Sequence, residues 1–165
     1  MTNRQELTDA LQAIPWFQMM NAEHFNKVLG IAKIFKYEPG QVIFHEGDKE
    51  DYLYVVLEGR VAIEMSVPGR GRMRILTAEP MEEVGWSSVT PVVRQRTAGA
   101  RAVLPSRLVA FDAEALRQLC EEDHDFGYFV MRRLVNVVAG RLLTGRLQLL
   151  DMFANPGNYQ EEQHG

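Results

Sequence analysis

The chain has 165 residues, 46% hydrophobic and 24% charged, with 18 Lys and Arg against 22 Asp and Glu and a single cysteine. This suits one domain with a sizeable core, and the net charge of -4 excludes a global basic field for gripping a nucleic-acid backbone. Cys120 has no partner for an internal disulfide, and a zinc cluster built on several thiolates is excluded.

The start, Met1 to Leu11, is polar and acidic where an export signal would be basic and then apolar. Thr8 is placed to cap a short helix carrying Leu11 and Ile14, which Pro15 interrupts. Asn21 starts a second helix carrying Phe25, Val28, Leu29 and Ala32, and Trp16-Phe17 and Met19-Met20 read as hydrophobic covers. From Ile34 the pattern changes to short β-rich runs: Val42 to Phe44, Tyr52 to Leu57, Val61 to Met65, Met73 to Leu76, Arg101 to Leu104 and Leu108 to Phe111. Glycine turns at Pro39-Gly40, Gly47-Asp48, Glu58-Gly59 and Pro68 to Gly71 separate them, and no long helix intervenes. The expected fold is therefore mainly β with flanking helices: a small antiparallel β-roll, jelly-roll-like, with N-terminal helices and a long C-terminal helix.

Asp112 caps the next helix. From about Asp125 to Met152 there is no proline, which allows a helix roughly 40 Å long. On it Val135, Val138, Leu142, Gly145 and Leu149 recur at alternating spacings of three and four, a stripe that two helices can share. Arg132, Arg133, Asn136, Arg141 and Arg146 break the tract, so no run reaches the roughly 18 apolar residues of a membrane span. The expected boundaries are a domain over 1–152 and a flexible tail over 153–165. Cytoplasmic location without membrane insertion is expected.

Glu83, Arg96 and Thr97 flank Val84 to Gln95, a segment with Gly85, Ser87, Ser88 and Pro91 that reads as a structured loop. Arginine gives two parallel charge-assisted hydrogen bonds to a phosphate, and Thr97 adds a hydroxyl. A carboxylate repels phosphate but accepts from a ribose hydroxyl, so Glu, Arg and Thr together suit a sugar phosphate better than a bare anion. The four histidines lack compact ligand spacing, Asp123-His124-Asp125 reads as a helix junction rather than a metal site, and Ser87 and Ser88 have no evident histidine and acid to activate them. Neither a metal site nor an enzyme is expected.

The run from Tyr37-Glu38-Pro39-Gly40 through Phe44-His45-Glu46-Gly47-Asp48 to Glu58-Gly59-Arg60-Val61 resembles the cyclic nucleotide-binding domain family, in particular the sensor domain of the catabolite activator/fumarate-nitrate regulator superfamily. Val42, Phe44, Leu53, Val55 and Val61 are expected to face the roll interior. The resemblance implies a phosphate-binding cassette: Glu83 in Glu83-Val84-Gly85-Trp86 as the ribose ligand, and Arg96 and the Thr97 hydroxyl in Arg96-Thr97-Ala98 on the phosphate. It implies that the long helix lids the pocket and pairs with its twofold mate, with Gly140, Arg141 and Thr144 as candidate contacts to the base. One position departs from the family pattern. Glu82 stands where the family has glycine, and its side chain is expected to crowd the sugar. Pro91 and Arg94 are further points where the cassette backbone can differ.

The resemblance thus implies a non-enzymatic sensor for a cyclic nucleotide. Cyclic AMP is preferred for a bacterial-type regulator, and cyclic GMP is kept open by Thr97. A homodimer through residues 125–152 and an unidentified downstream protein are the expected partners. Direct DNA binding is not expected, because the chain stops where such regulators continue into a helix-turn-helix domain. The alternative is a roll that has lost nucleotide affinity and serves as a structural or protein-interaction module, with Glu82 as its main support.

Overall fold

The computed structural model describes residues 3–49, 51–90, 92–93 and 95–156. Two helices lead in: α1 (Arg4–Gln12) and, after a 3-10 turn at Phe17–Met19, α2 (Ala22–Gly30). The cap of α1 is Asn3, whose side chain accepts from the Gln5 amide, and Thr8 lies inside the helix with its hydroxyl donating to the Arg4 carbonyl. Asn21 caps α2 as expected, accepting from the His24 amide at 2.8 Å. Of the two predicted methionine covers only Met20 packs on the core; Met19 is 78% exposed.

Eight strands follow: β1 (Ala32–Tyr37), β2 (Val42–Phe44), β3 (Tyr52–Glu58), β4 (Val61–Val67), β5 (Gly71–Ala78), β6 (Glu83–Val84), β7 (Gly99–Ala102) and β8 (Ser106–Asp112). They form two four-stranded antiparallel sheets, ordered β1-β8-β3-β6 and β2-β7-β4-β5. This is the expected roll, with two strands that sequence reading missed. Ala32, assigned to the second helix, opens β1, which pairs with β8 from Ala32↔Phe111 to Tyr37↔Ser106. The two-residue β6 is too short for any periodicity to show. The run placed at Arg101 to Leu104 forms its strand two residues earlier, because Ala100 and Ala102 pair with Ile63 and Val61 of β4.

The central sheet is buried on both faces. Tyr54, Val56, Leu108 and Ala110 point into the roll with Val61, Ala78, Val84 and Ala100. Leu53, Val55, Val109 and Phe111 point the other way, against Leu11, Ile14, Phe17, Val28 and Phe126 of the helices. The expectation that Leu53 and Val55 face the roll interior is corrected accordingly. Alternation assigns residues to two faces, but when both are apolar it cannot say which is which.

Asp112 caps α3 (Ala113–Glu122), accepting from the Ala115 amide, and Asp123 caps α4 (His124–Ala154), accepting from the Phe126 amide. The 31 residues of α4 give it a length of about 46 Å, and it runs two residues beyond the expected domain edge at 152. Residues 157–165, most of the expected tail, lie outside the described residues. Asp123 also accepts from Lys27 Nζ at 2.9 Å and lies 3.0 Å from His24 Nε2, so it ties α2 to the α3–α4 junction. The first part of α4 packs on the core through Phe126, Val130 and Leu134. Beyond it Val135, Leu142, Leu143, Leu147, Leu149 and Leu150 are exposed.

Candidate functional site

The turn before β6 is pinned to β3: the Met81 amide donates to the Val56 carbonyl at 2.7 Å, and the Val56 amide donates to the Glu82 carbonyl at 3.0 Å. Met81 accordingly holds φ of 72°, the only positive φ at a non-glycine position among the described residues. The Glu82 carboxylate accepts from the Glu79 amide at 2.9 Å and closes this turn on the exposed side. Glu82, expected to crowd the sugar, is not among the residues lining the cavity shared by Glu83 and Arg96, and lines a neighbouring one instead.

After β6, Gly85 takes φ of 79° and starts a 3-10 turn, Trp86–Val89, in which Ser88 Oγ donates to the Gly85 carbonyl. A Cβ on Gly85 would overlap Arg96 Nη1. Glycine is therefore required here both by the left-handed backbone and by the arginine lying against it. Arg96 is 3% exposed. Its Nη1 donates to the Gly85 carbonyl at 3.1 Å, its Nη2 donates to the Tyr52 carbonyl at 2.6 Å, and its guanidinium carbon lies 4.1 Å from the centroid of the Phe44 ring. Burial, stacking and two directed bonds fix the plane of the guanidinium.

Glu83 is 2% exposed and gripped by α4. Arg133 donates Nε to Oε1 at 2.6 Å and Nη2 to Oε2 at 3.1 Å, a two-pronged pair. Arg141 Nη2 donates to the Glu83 backbone carbonyl at 2.7 Å, and Gln148 Nε2 donates to the Ile75 carbonyl of β5 at 2.7 Å. Burial pushes the Arg141 guanidinium below its usual value, and the charges of Glu82 and Glu83 oppose that shift. These bonds lay α4 across the open side of the roll.

Between α4, β5, β6 and the Arg96 segment is a cavity of about 240 Å³, a little under the usual range of about 300–1,000 Å³ for small-molecule pockets. All nine predicted site residues line it: Glu83, Val84, Gly85, Trp86, Arg96, Thr97, Ala98, Arg141 and Thr144. Gly140, a third predicted contact on the helix, lines instead a neighbouring cavity of about 280 Å³ on the far side of Arg141, together with Glu82, Arg133 and Asn136. Pro91 and Arg94 lie outside the described residues. Sequence reading missed Arg133 and Gln148, and also the apolar wall of Phe44, Ile63, Met65, Ile75 and Leu76. A signal for the first two was present: Arg133, Arg141, Thr144 and Gln148 are spaced by eight, three and four, which puts polar side chains on one face of a helix.

Among the described residues no group of three His, Cys, Asp or Glu is placed to hold a metal ion. Cys120 packs against the helical core, and burial pushes its thiol up to about 11. No described helix is long and apolar enough to cross a membrane. The cavity offers a fixed guanidinium, a hydroxyl and a carboxylate together with an apolar lining, which is the chemistry of holding a small amphiphilic anion.

The sequence model of one protein family, described as the cyclic nucleotide-binding domain, matches residues 34–123. Among curated proteins, the chain is 28% identical over 143 residues, 84% of its length, to a Rhodopseudomonas palustris protein with "potassium channel protein" in its name. It is 30% identical over 114 residues, 68% of its length, to a CRP-like cAMP-activated global transcriptional regulator of Mycobacterium tuberculosis. It spans 32% and 48% of the lengths of these two relatives. Among solved structures, the catabolite activator protein of Thermus thermophilus matches with a TM-score of 0.66 and 26% identity, over 85% of this chain and 63% of that one. The chain belongs to the cyclic nucleotide-binding domain family and resembles the sensor domains of CRP-type regulators. That family is non-catalytic, and these residues form a binding module rather than an enzyme.

Proposed function

We propose that this member of the cyclic nucleotide-binding domain family is a regulatory sensor that binds a cyclic purine nucleotide in the 240 Å³ cavity and reports occupancy through α4. The observation that carries the reading is the convergence of Arg96, Thr97 and Glu83 on one cavity closed by a helix. Arg96 and Thr97 hold the cyclic phosphate, Glu83 accepts from the ribose hydroxyl, and the base lies between the apolar wall and α4. Cyclic AMP is the nucleotide in the name of the M. tuberculosis relative and is the first ligand to test.

Coupling follows from the bonds of α4. Glu83 is both a ligand group and the acceptor for Arg133, so moving the helix and filling the cavity act on the same carboxylate. A ligand shifts the position of α4 only by as much as its affinity differs between the open and closed arrangements. The exposed side chains of Val135, Leu142 and Leu149, seven residues apart, form a seam for a twofold mate, so that two cavities bear on one interface.

A second reading has its own observation. Both Glu83 oxygens accept from Arg133, and both terminal nitrogens of Arg96 donate to carbonyls. A site this well satisfied could serve as a rigid interaction module without nucleotide. Titration calorimetry separates the two readings. Saturable heat with cyclic AMP or cyclic GMP that disappears in Arg96→Ala is expected for the sensor. No heat with either at millimolar concentration, from a chain that unfolds cooperatively, would leave the interaction module.

A further inference from the structure

The nucleotide reading already assigns Arg96, Thr97 and Glu83, and a flat base would rest against Ile63, Ile75 and Leu76 with its edge toward α4. The polar side chains that α4 offers there are Arg141, Thr144 and Gln148. Gln148 donates one amide hydrogen to the Ile75 carbonyl. Arg141 is committed through only one terminal nitrogen, Nη2, on the Glu83 carbonyl. Its other terminal nitrogen, Nη1, is sealed from water and has no hydrogen-bond partner.

A sealed N–H without an acceptor is unfavourable, and a guanidinium can only donate. The group that relieves it must therefore be an acceptor. Arg141 borders both this cavity and the second one of about 280 Å³. The Hoogsteen edge of a 6-oxopurine presents two adjacent acceptors, O6 and N7, which match an arginine fork. Adenine presents N7 beside an amino group, which would set N–H against N–H.

Resting on the nucleotide reading of this cavity, we propose that Arg141 is a specificity-determining residue that selects a 6-oxopurine cyclic nucleotide, of the cyclic GMP type, over cyclic AMP. This runs against the preference that the family resemblance carries. A purely structural Arg141 would tie α4 to Glu83 and be indifferent to the base.

The test is calorimetric titration of the full chain with cyclic AMP, cyclic GMP and cyclic IMP, the last differing from cyclic AMP in carrying oxygen instead of the amino group at position 6. Cyclic GMP and cyclic IMP are expected to bind at least about tenfold tighter than cyclic AMP. Arg141→Gln is expected to abolish that preference or turn it toward cyclic AMP, since a side-chain amide matches N6 and N7 of adenine. Arg141→Met, which keeps the packing of the stem, is expected to bring the three affinities within about twofold of one another by removing the fork. Equal or tighter binding of cyclic AMP by the unaltered chain, or a preference that survives both substitutions, overturns the assignment while leaving the cavity a nucleotide site. No binding of any of the three overturns both readings.

Discussion

Arg133→Met tests the grip of α4 on the site. Glu83 is 2% exposed and has both carboxylate oxygens on Arg133, while the arginine side chain remains 34% exposed. Removing one partner of a fully buried pair costs about 3–5 kcal/mol, because the other charge is left without compensation. Water at the exposed part of Arg133 lowers the expectation to about 2–3 kcal/mol. For a chain of this length that corresponds to a fall in Tm of about 5–10 °C. Thermal and urea unfolding followed by circular dichroism measure it. The double variant Glu83→Met/Arg133→Met separates the pair from the packing around it, and it is expected to recover about 1–2 kcal/mol of the summed single losses, since no lone charge stays buried. A fall in Tm under about 2 °C for Arg133→Met, or single effects that add to within about 0.5 kcal/mol, would refute the claim that this pair holds the helix to the site.

Three other perturbations probe separate parts of the structure. Gly85→Ala places a Cβ where Arg96 Nη1 lies and asks alanine to hold φ of 79°, so a loss of about 1–3 kcal/mol in urea unfolding is expected, together with loss of nucleotide binding by calorimetry. Asp123 is held below the ordinary carboxylate range first by the Phe126 amide and then by Lys27. A carboxylate depressed on folding contributes stability above its unfolded value near 3.9, and that stability is lost as pH falls through the folded value. Tm measured from pH 5 down to pH 2 should therefore fall less steeply in Asp123→Asn, which keeps the cap; an unchanged slope would count against the cluster. Leu142→Arg with Leu149→Arg puts charge on the exposed seam, and sedimentation over a concentration series is expected to show a dimer for the unaltered chain and a monomer for the double variant.

Local chemistry made much of the fold legible. Side chains of Asn21, Asp112 and Asp123 cap helices from the positions where short polar side chains compete for free amides, although Asn3 rather than Thr8 caps the first helix because its oxygen precedes the turn whose amides need it. The turn glycines Gly40, Gly47, Gly59 and Gly69 all take positive φ, the backbone that favours glycine. The first residue of β1 was misread as helix because Ala32 fits either state, and pairing with β8 decides it.

The residue types at the site were likewise readable from order along the chain, since Glu83, Arg96 and Thr97 carry distinct hydrogen-bonding roles whatever surrounds them. Their convergence on one cavity was implied by the family resemblance and not by the residues themselves, because it depends on β6 pairing with β3, on Gly85 making room for Arg96, and on α4 folding back across the roll. The direction of the Glu82 side chain was hidden for the same reason. Its donor is the amide of Glu79, which becomes available only once the intervening turn has formed. What a residue can donate, accept or bury is fixed by its own atoms. Which group receives it depends on contacts between segments fifty residues apart, such as Glu83 and Arg133, and only the folded backbone brings those together.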